Sequence, residues 1–213
     1  MFIAPMLPEP AEQPFSDDTY VFEPLYDGHR LLLVHQGVET RLWSGHKTEC
    51  TRQYPELHRL RIQRDLILDG EICSIDPGTG RSCRELVIER SKLHSKEKIR
   101  AYAHHRPVIY MVWDILSLDG RDLRALPLVK RRSVLEAVVE PNEAVKLVPQ
   151  TDGRGDALWR AVVKDSMEGM VAKRKNSPYV SRRSGDWLKI ANAGYRDGRT
   201  IGDTTTALLA ASN

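Results

Sequence analysis

The sequence predicts an α+β fold, mainly antiparallel sheets flanked by helices. Three observations carry this. Apolar runs at Tyr20–Tyr26, Leu31–Gln36 and Glu39–Ser44 are separated by tight-turn residues, the pattern of an antiparallel meander. Pro107–Leu118 is long, β-branched and aromatic, as a central strand should be. Helical stretches fall between the strands without the regular βαβ spacing of a doubly wound parallel sheet.

Taken in order, residues 1–19 read as an irregular lead-in rich in Pro and acid, with one short extended piece at Phe2–Met6. Asp27-Gly28 between Tyr26 and Leu31 signals a hairpin, because Gly takes positive φ without steric cost. Gln36-Gly37-Val38 supplies the next turn. Tyr54–Arg61 is a short helix with Leu57 and Leu60 on one face. Leu66–Ile75 is a strand interrupted by Asp69-Gly70, where a glycine marks a bulge or a close backbone approach. Asp76–Gly80 is a turn. Arg84–Arg106 is helical, with Leu86, Ile88 and Leu93 as buried anchors.

Asp114, alone inside the apolar strand, must find hydrogen-bond partners if it is buried. Leu126–Val139 is a helix opened by Pro127, with Leu135, Val138 and Val139 inward. Val145–Val148 is a strand, and Asp156–Met167 an amphipathic helix burying Leu158, Ala161 and Val162. Strands at Gly169–Ala172 and Trp187–Ile190 follow. Residues 1–192 thus form one domain and 193–213 a short polar tail, frayed or weakly helical.

Among 213 residues, 41% are apolar and 29% charged, so a core can hold the fold without disulfides. Cys50, Cys73 and Cys83 have no close C-x-x-C spacing, which argues against a zinc site and fits a reducing cytoplasm. Met1–Leu7 lacks the basic start of a signal peptide, and no run reaches the roughly 20 apolar residues of a membrane span. A net charge of +3 is too small to imply a nucleic-acid partner by itself. The clusters at Arg90, Lys92, Lys96 and Lys98, at Lys130–Arg132, at Lys173–Lys175 and at Arg182 and Arg183 are solvated faces or phosphate-binding grooves.

Four stretches combine charge with glycines or strand ends: Glu23–Arg30, Leu68–Glu71, Glu168–Lys173 and Asp186–Ile190. Singly, each has a plain structural explanation: an edge-strand salt bridge such as Glu23 with Arg30 across a hairpin, a bulge, or a capped turn; Trp113, in the most apolar strand, has core packing as its own. Together they offer carboxylates for a divalent metal, amines for phosphate and aromatics for a base. In this order and spacing they resemble the nucleotidyltransferase motifs of the ATP-dependent DNA ligases, closest to the bacterial end-joining and phage-like type. The leading motif of that family, Lys-x-Asp-Gly-x-Arg, stands here as Leu25–Arg30. Tyr54–Leu57, Trp113–Leu123 and Ser177–Ile190 extend the resemblance over roughly residues 1–192.

The resemblance implies the ATP-grasp-like adenylation fold of the ligases, a cytoplasmic monomer, ATP with Mg2+ or Mn2+ as cofactors, and nicked or broken double-stranded DNA as partner, with no membrane. It implies that Glu23 lies by the adenine edge, Trp113 stacks on the base, Glu71 holds the ribose hydroxyls and Arg30 lies near ribose and phosphates. Glu168 would bind the metal; Lys173 and Lys189 would neutralise the α-phosphate. Nucleotidyl transfer runs on positioning and charge neutralisation, which these residue types supply.

The chain also departs from the pattern. The family's nucleophile is the lysine that opens its leading motif, and that position is Leu25, which has no lone pair to attack phosphorus. Covalent adenylation is therefore expected to be lost or severely impaired. Where the family has Ser-Arg-x-Gly, this chain has Ser44-Gly45-His46-Lys47, with Lys47 as the available replacement charge. Ala191 replaces a second lysine, and no OB-fold is expected after Asn192. The alternatives are a catalytically inactive module that binds ATP or nicked DNA, and an RNA ligase or capping-type nucleotidyltransferase.

Overall fold

Alternation along the strands sorts the side chains into three apolar layers separated by two sheets. The computed structural model describes residues 2–59, 62–76, 78 and 81–195. Its strands are β1 (Leu7–Ala11), β2 (Tyr20–Pro24), β3 (His29–Gln36), β4 (Glu39–Ser44), β5 (Leu66–Ser74), β6 (Val108–Leu118), β7 (Arg121–Asp122), β8 (Val145–Leu147), β9 (Thr151–Asp152), β10 (Gly169–Arg174) and β11 (Arg183–Ala191). The helices are α1 (Arg84–Ser91), α2 (Lys96–His105), α3 (Leu128–Val138) and α4 (Gly155–Lys164), with two 3-10 turns at Thr51–Gln53 and Pro55–Arg59.

One sheet runs β1-β11-β10-β2-β9; the other runs β4-β3-β5-β6-β7, with β8 beside β6. Pairing is antiparallel except for β1 on β11 and β8 on β6. In β2, Tyr20 and Phe22 face α4, with Met170, Ala172 and Ile190 of the neighbouring strands. Leu32 and Val34 of β3 meet Val171 and Trp187 between the sheets. Leu31 and Leu33 turn the other way into a core shared with Val87 of α1 and Leu135 of α3.

The expected α+β class and most strands are present, with three informative differences. The Glu23–Arg30 stretch is not a hairpin: β2 pairs with β10 and β9, whereas β3 pairs with β4 and β5. Residues 25–28 carry the chain from one sheet to the other. Gly28 is needed there for space, since a Cβ would sit 2.1 Å from the Ile72 carbonyl oxygen. Second, the first strand is Leu7–Ala11 rather than Phe2–Met6. Its Pro8 and Pro10 lack an N–H, which an edge strand tolerates.

Third, Arg84–Arg106 is two helices that bury Val87, Arg90 and Ile99, while Leu86, Ile88 and Leu93 stay half-buried. Arg90 is buried because Glu56 accepts a two-pronged ion pair from it. Ala161 is exposed, and α4 rests instead on Val162. The Asp76–Gly80 turn and the tail lie largely outside the described residues; the chain is described as far as Tyr195.

Asp114 is fully buried and meets Arg131 of α3 through two bonds of 2.9 Å. Gly70 marks both a register shift against β6 and a close approach, as a Cβ would lie 2.5 Å from the Met111 carbonyl oxygen. No described helix is long and apolar enough to cross a membrane.

Candidate functional site

The sheet-to-sheet crossing at residues 25–28 opens a cavity of about 330 Å³ between the two sheets. Every second residue of β10 and β11 faces it, which brings Val171 and Lys173 beside Trp187 and Lys189. Glu23 enters from β2, and Arg30, Glu71 and Trp113 enter from β3, β5 and β6 of the opposite sheet. Leu25 lines the same space and packs on the apolar layer between the sheets. Glu168 stands one ion pair away, accepting from Lys189 Nζ at 2.6 Å. A wider groove of about 920 Å³, between Ile62–Arg64 and the end of α3, includes none of these residues.

At one end of the cavity Glu23 and Lys173 are each only 2% exposed and bonded at 2.5 Å. The second Glu23 oxygen accepts from Gln150 Nε2 at 2.8 Å. The Lys173 ammonium lies 4.3 Å from the Trp187 ring centroid and 5.1 Å from that of Trp113. Burial lowers the Lys173 pKa, against the pull of Glu23. The indole N–H groups of Trp113 and Trp187 are buried and have no partner among the described residues. This end is flat-faced, aromatic and rich in polar groups, suited to a planar heterocycle with an edge that hydrogen-bonds.

Along the opposite wall, Arg30 is held by a fork on Asp69, Nε to Oδ1 at 3.0 Å and Nη2 to Oδ2 at 2.6 Å. Asp69 is fully buried and also accepts from Tyr179 Oη at 2.8 Å, so the guanidinium has a fixed bearing. Arg30 in turn lies 5.2 Å from the Trp113 centroid. Burial pushes the Glu71 carboxyl up to about 8, with Arg30 opposing and Glu168 and Asp69 reinforcing the rise. Asp27, in the crossing segment, is raised by burial although Tyr195 Oη donates to it at 2.6 Å.

The expected residues thus converge on one cavity, where Arg30 and Lys173 each have a fixed carboxylate partner. Arg30 pairs with Asp69 and not with Glu23. Lys173, expected at a phosphate beside Lys189, is tied to Glu23, while Lys189 is partly exposed at Glu168. Leu7, Pro8 and Arg183 also line the cavity. A parallel pairing of the first and last strands puts them there, and a sequence of short proline-broken runs carries no signal for it.

A family model described as "ATP dependent DNA ligase domain" matches residues 5–191. The chain belongs to that family. It is 35% identical to the SPbeta prophage-derived DNA ligase-like protein LigB of Bacillus subtilis, over 92% of this chain and 70% of that protein. It is 30% identical to the bifunctional non-homologous end joining protein LigD of the same organism, over 80% of this chain and 31% of LigD. Among solved structures, mycobacterial DNA ligase D complexed with ATP and MES superposes with a TM-score of 0.72 at 26% identity, over 89% of this chain and 60% of that one. The chain therefore spans about a third of LigD.

The departures of this ligase domain have distinct surroundings. Leu25 is half-buried against the inter-sheet layer. Lys47 is exposed, outside the cavity lining, and holds a left-handed φ of 63°. Gly45 has open space, with only Pro5 Cγ at 3.7 Å from a built Cβ. Ala191 ends β11 at an exposed position. Among the described residues no three carboxylate, His or Cys side chains gather to hold a metal. A single carboxylate at Glu168 suits Mg2+, which is commonly held by one or two carboxylates together with substrate phosphates.

Proposed function

We propose that residues 1–192 are the adenylation domain of an ATP-dependent DNA ligase that binds ATP in the inter-sheet cavity but does not form lysyl-AMP. The observation that carries this is the presence of Leu25 among the charged motif residues in one cavity. Trp113 stacks on the base, Glu23 accepts at its amino edge, and Glu71 binds the ribose hydroxyls. Arg30, aimed by Asp69, and Lys189 neutralise phosphate charge. Glu168 would hold Mg2+ or Mn2+ with phosphate oxygens, the metal supplying further charge neutralisation. In the family's reaction a lysine Nζ attacks the α-phosphorus and pyrophosphate leaves. The Leu25 side chain offers carbon alone at that position, and Lys173 is committed to Glu23. The reaction that adenylation serves in the family is the sealing of nicks or breaks in double-stranded DNA.

The test has two parts. Calorimetry with ATP and Mg2+ should register binding at or below millimolar concentration, and intact-mass measurement should find no added AMP. Leu25→Lys should then gain the mass of one AMP. Absence of any ATP binding by the parent chain would refute the site, and AMP on the parent chain would refute the role given to Leu25.

A further inference from the structure

We infer that Gln150 is a specificity-determining positioning residue that makes Glu23 discriminate a 6-amino purine from a 6-oxo purine; the inference rests on the placement of the base beside Glu23. Gln150 belongs to none of the motifs, and the strand register puts it where it acts. β9 runs antiparallel to β2, with Val21 opposite Asp152 and Phe22 opposite Thr151. One step further along that register, Gln150 faces Glu23. Its Nε2 donates to Glu23 Oε1 at 2.8 Å, while Lys173 Nζ donates to Oε2 at 2.5 Å. Two donors from opposite sides therefore fix the plane of a carboxylate that is 2% exposed and lines the cavity.

The consequence is chemical. A carboxylate that already accepts through both oxygens keeps one lone pair per oxygen for a ligand, so it presents acceptors to the cavity. Adenine presents an N–H donor at its 6-position; guanine presents a carbonyl oxygen there. The pinned carboxylate bonds the first and repels the second. The penalty is large because the group is buried and cannot turn towards water. Without Gln150, Oε1 is free to swing about the Lys173 contact, and the carboxylate no longer holds an accepting face towards the base. Gln150 touches Glu23 and is not among the cavity-lining residues, so it acts through Glu23.

The experiment is titration of the full chain and of Gln150→Met with ATP and with GTP, each with Mg2+, by calorimetry. The parent chain should prefer ATP. Gln150→Met should weaken ATP by about tenfold, as expected for a hydrogen bond to a charged group, and leave GTP within about twofold, so that the ATP-to-GTP ratio collapses. A residue that merely supported the strand would weaken both nucleotides together and leave the ratio unchanged, and that result would overturn the inference. Gln150→Ser, which leaves room for water, is the second variant; an unchanged ratio in either folded variant counts against the role. If the parent chain binds neither nucleotide, the placement of the base is itself wrong.

Discussion

The ammonium of Lys173 lies 2.5 Å from the Glu23 carboxylate, both side chains are buried, and the two residues come from strands 150 positions apart. The pair ties β10 to β2 and forms the end wall of the cavity. Buried ion pairs add little over a well-packed apolar pair, but removing one partner strands the other charge. Glu23→Leu should therefore cost about 3–5 kcal/mol in urea denaturation. Glu23→Leu combined with Lys173→Met should recover most of that. A double variant no more stable than the single one would mean that Lys173 is satisfied by its two indole neighbours instead.

Glu71 provides a pH signature. Its carboxyl is raised to about 8 in the fold, chiefly by burial, from an ordinary 4.5. Between these values the folded chain holds a proton that the unfolded chain has released. The contribution is complete below about pH 4.5 and is lost as pH rises through about 8. Glu71→Gln should flatten this part of the stability curve, seen as a smaller difference in urea midpoint between pH 5 and pH 8. An unaltered difference would place the Glu71 carboxylate in contact with solvent or with Arg30.

The longer strands were legible because apolar alternation is a local property, whereas β1 and the two-residue β7 and β9 were not; the convergence of Glu23, Arg30, Glu71, Trp113, Lys173 and Lys189 was legible because ordered motifs constrain one another. Pairing partners were less so. Asp27-Gly28 has the composition of a hairpin turn, yet Tyr20 and Phe22 belong to the layer under α4 while Leu31 and Leu33 belong to the layer under α1 and α3. Both runs alternate equally well, so the sequence pattern does not distinguish one sheet from two. Asp69 illustrates the same limit: its position beside Gly70 was visible, whereas its grip on Arg30 depends on the β3–β5 register.

Gly70 makes a sharper demand on the backbone than its motif position suggests. A Cβ there would lie 2.5 Å from the Met111 carbonyl oxygen and 2.7 Å from a ring carbon of Tyr110. That ring cannot yield easily, because its hydroxyl donates to the carbonyls of Leu31 and Leu68 at 2.9 and 3.2 Å. Gly70→Ala should cost about 1–3 kcal/mol by overpacking. Since Glu71 is the next residue, it should also weaken ATP binding, both read from one urea series and one titration. A stable variant with unaltered binding would show that β5 and β6 can part locally at the bulge.

The turn after β4 holds the two departures that can be reversed independently of Leu25. Lys47 adopts a φ of 63° with its N–H bonded to the Ser44 carbonyl at 3.0 Å, a conformation glycine takes without penalty. Lys47→Gly should raise stability by about 1 kcal/mol. Gly45 has no such conformation and has free space around its Cβ direction. Gly45→Arg should therefore fold, gaining about 0.4–1 kcal/mol from the reduced freedom of the unfolded chain. Combined on a Leu25→Lys background, the two changes rebuild the Ser-Arg-x-Gly turn of the family. They should increase the AMP-bearing fraction above that of Leu25→Lys alone, with the arginine fork supplying phosphate binding that the exposed Lys47 does not. If Leu25→Lys is already fully adenylated, the turn is dispensable for this step. If the triple variant remains without AMP, the block lies elsewhere, with Ala191 the next position to restore.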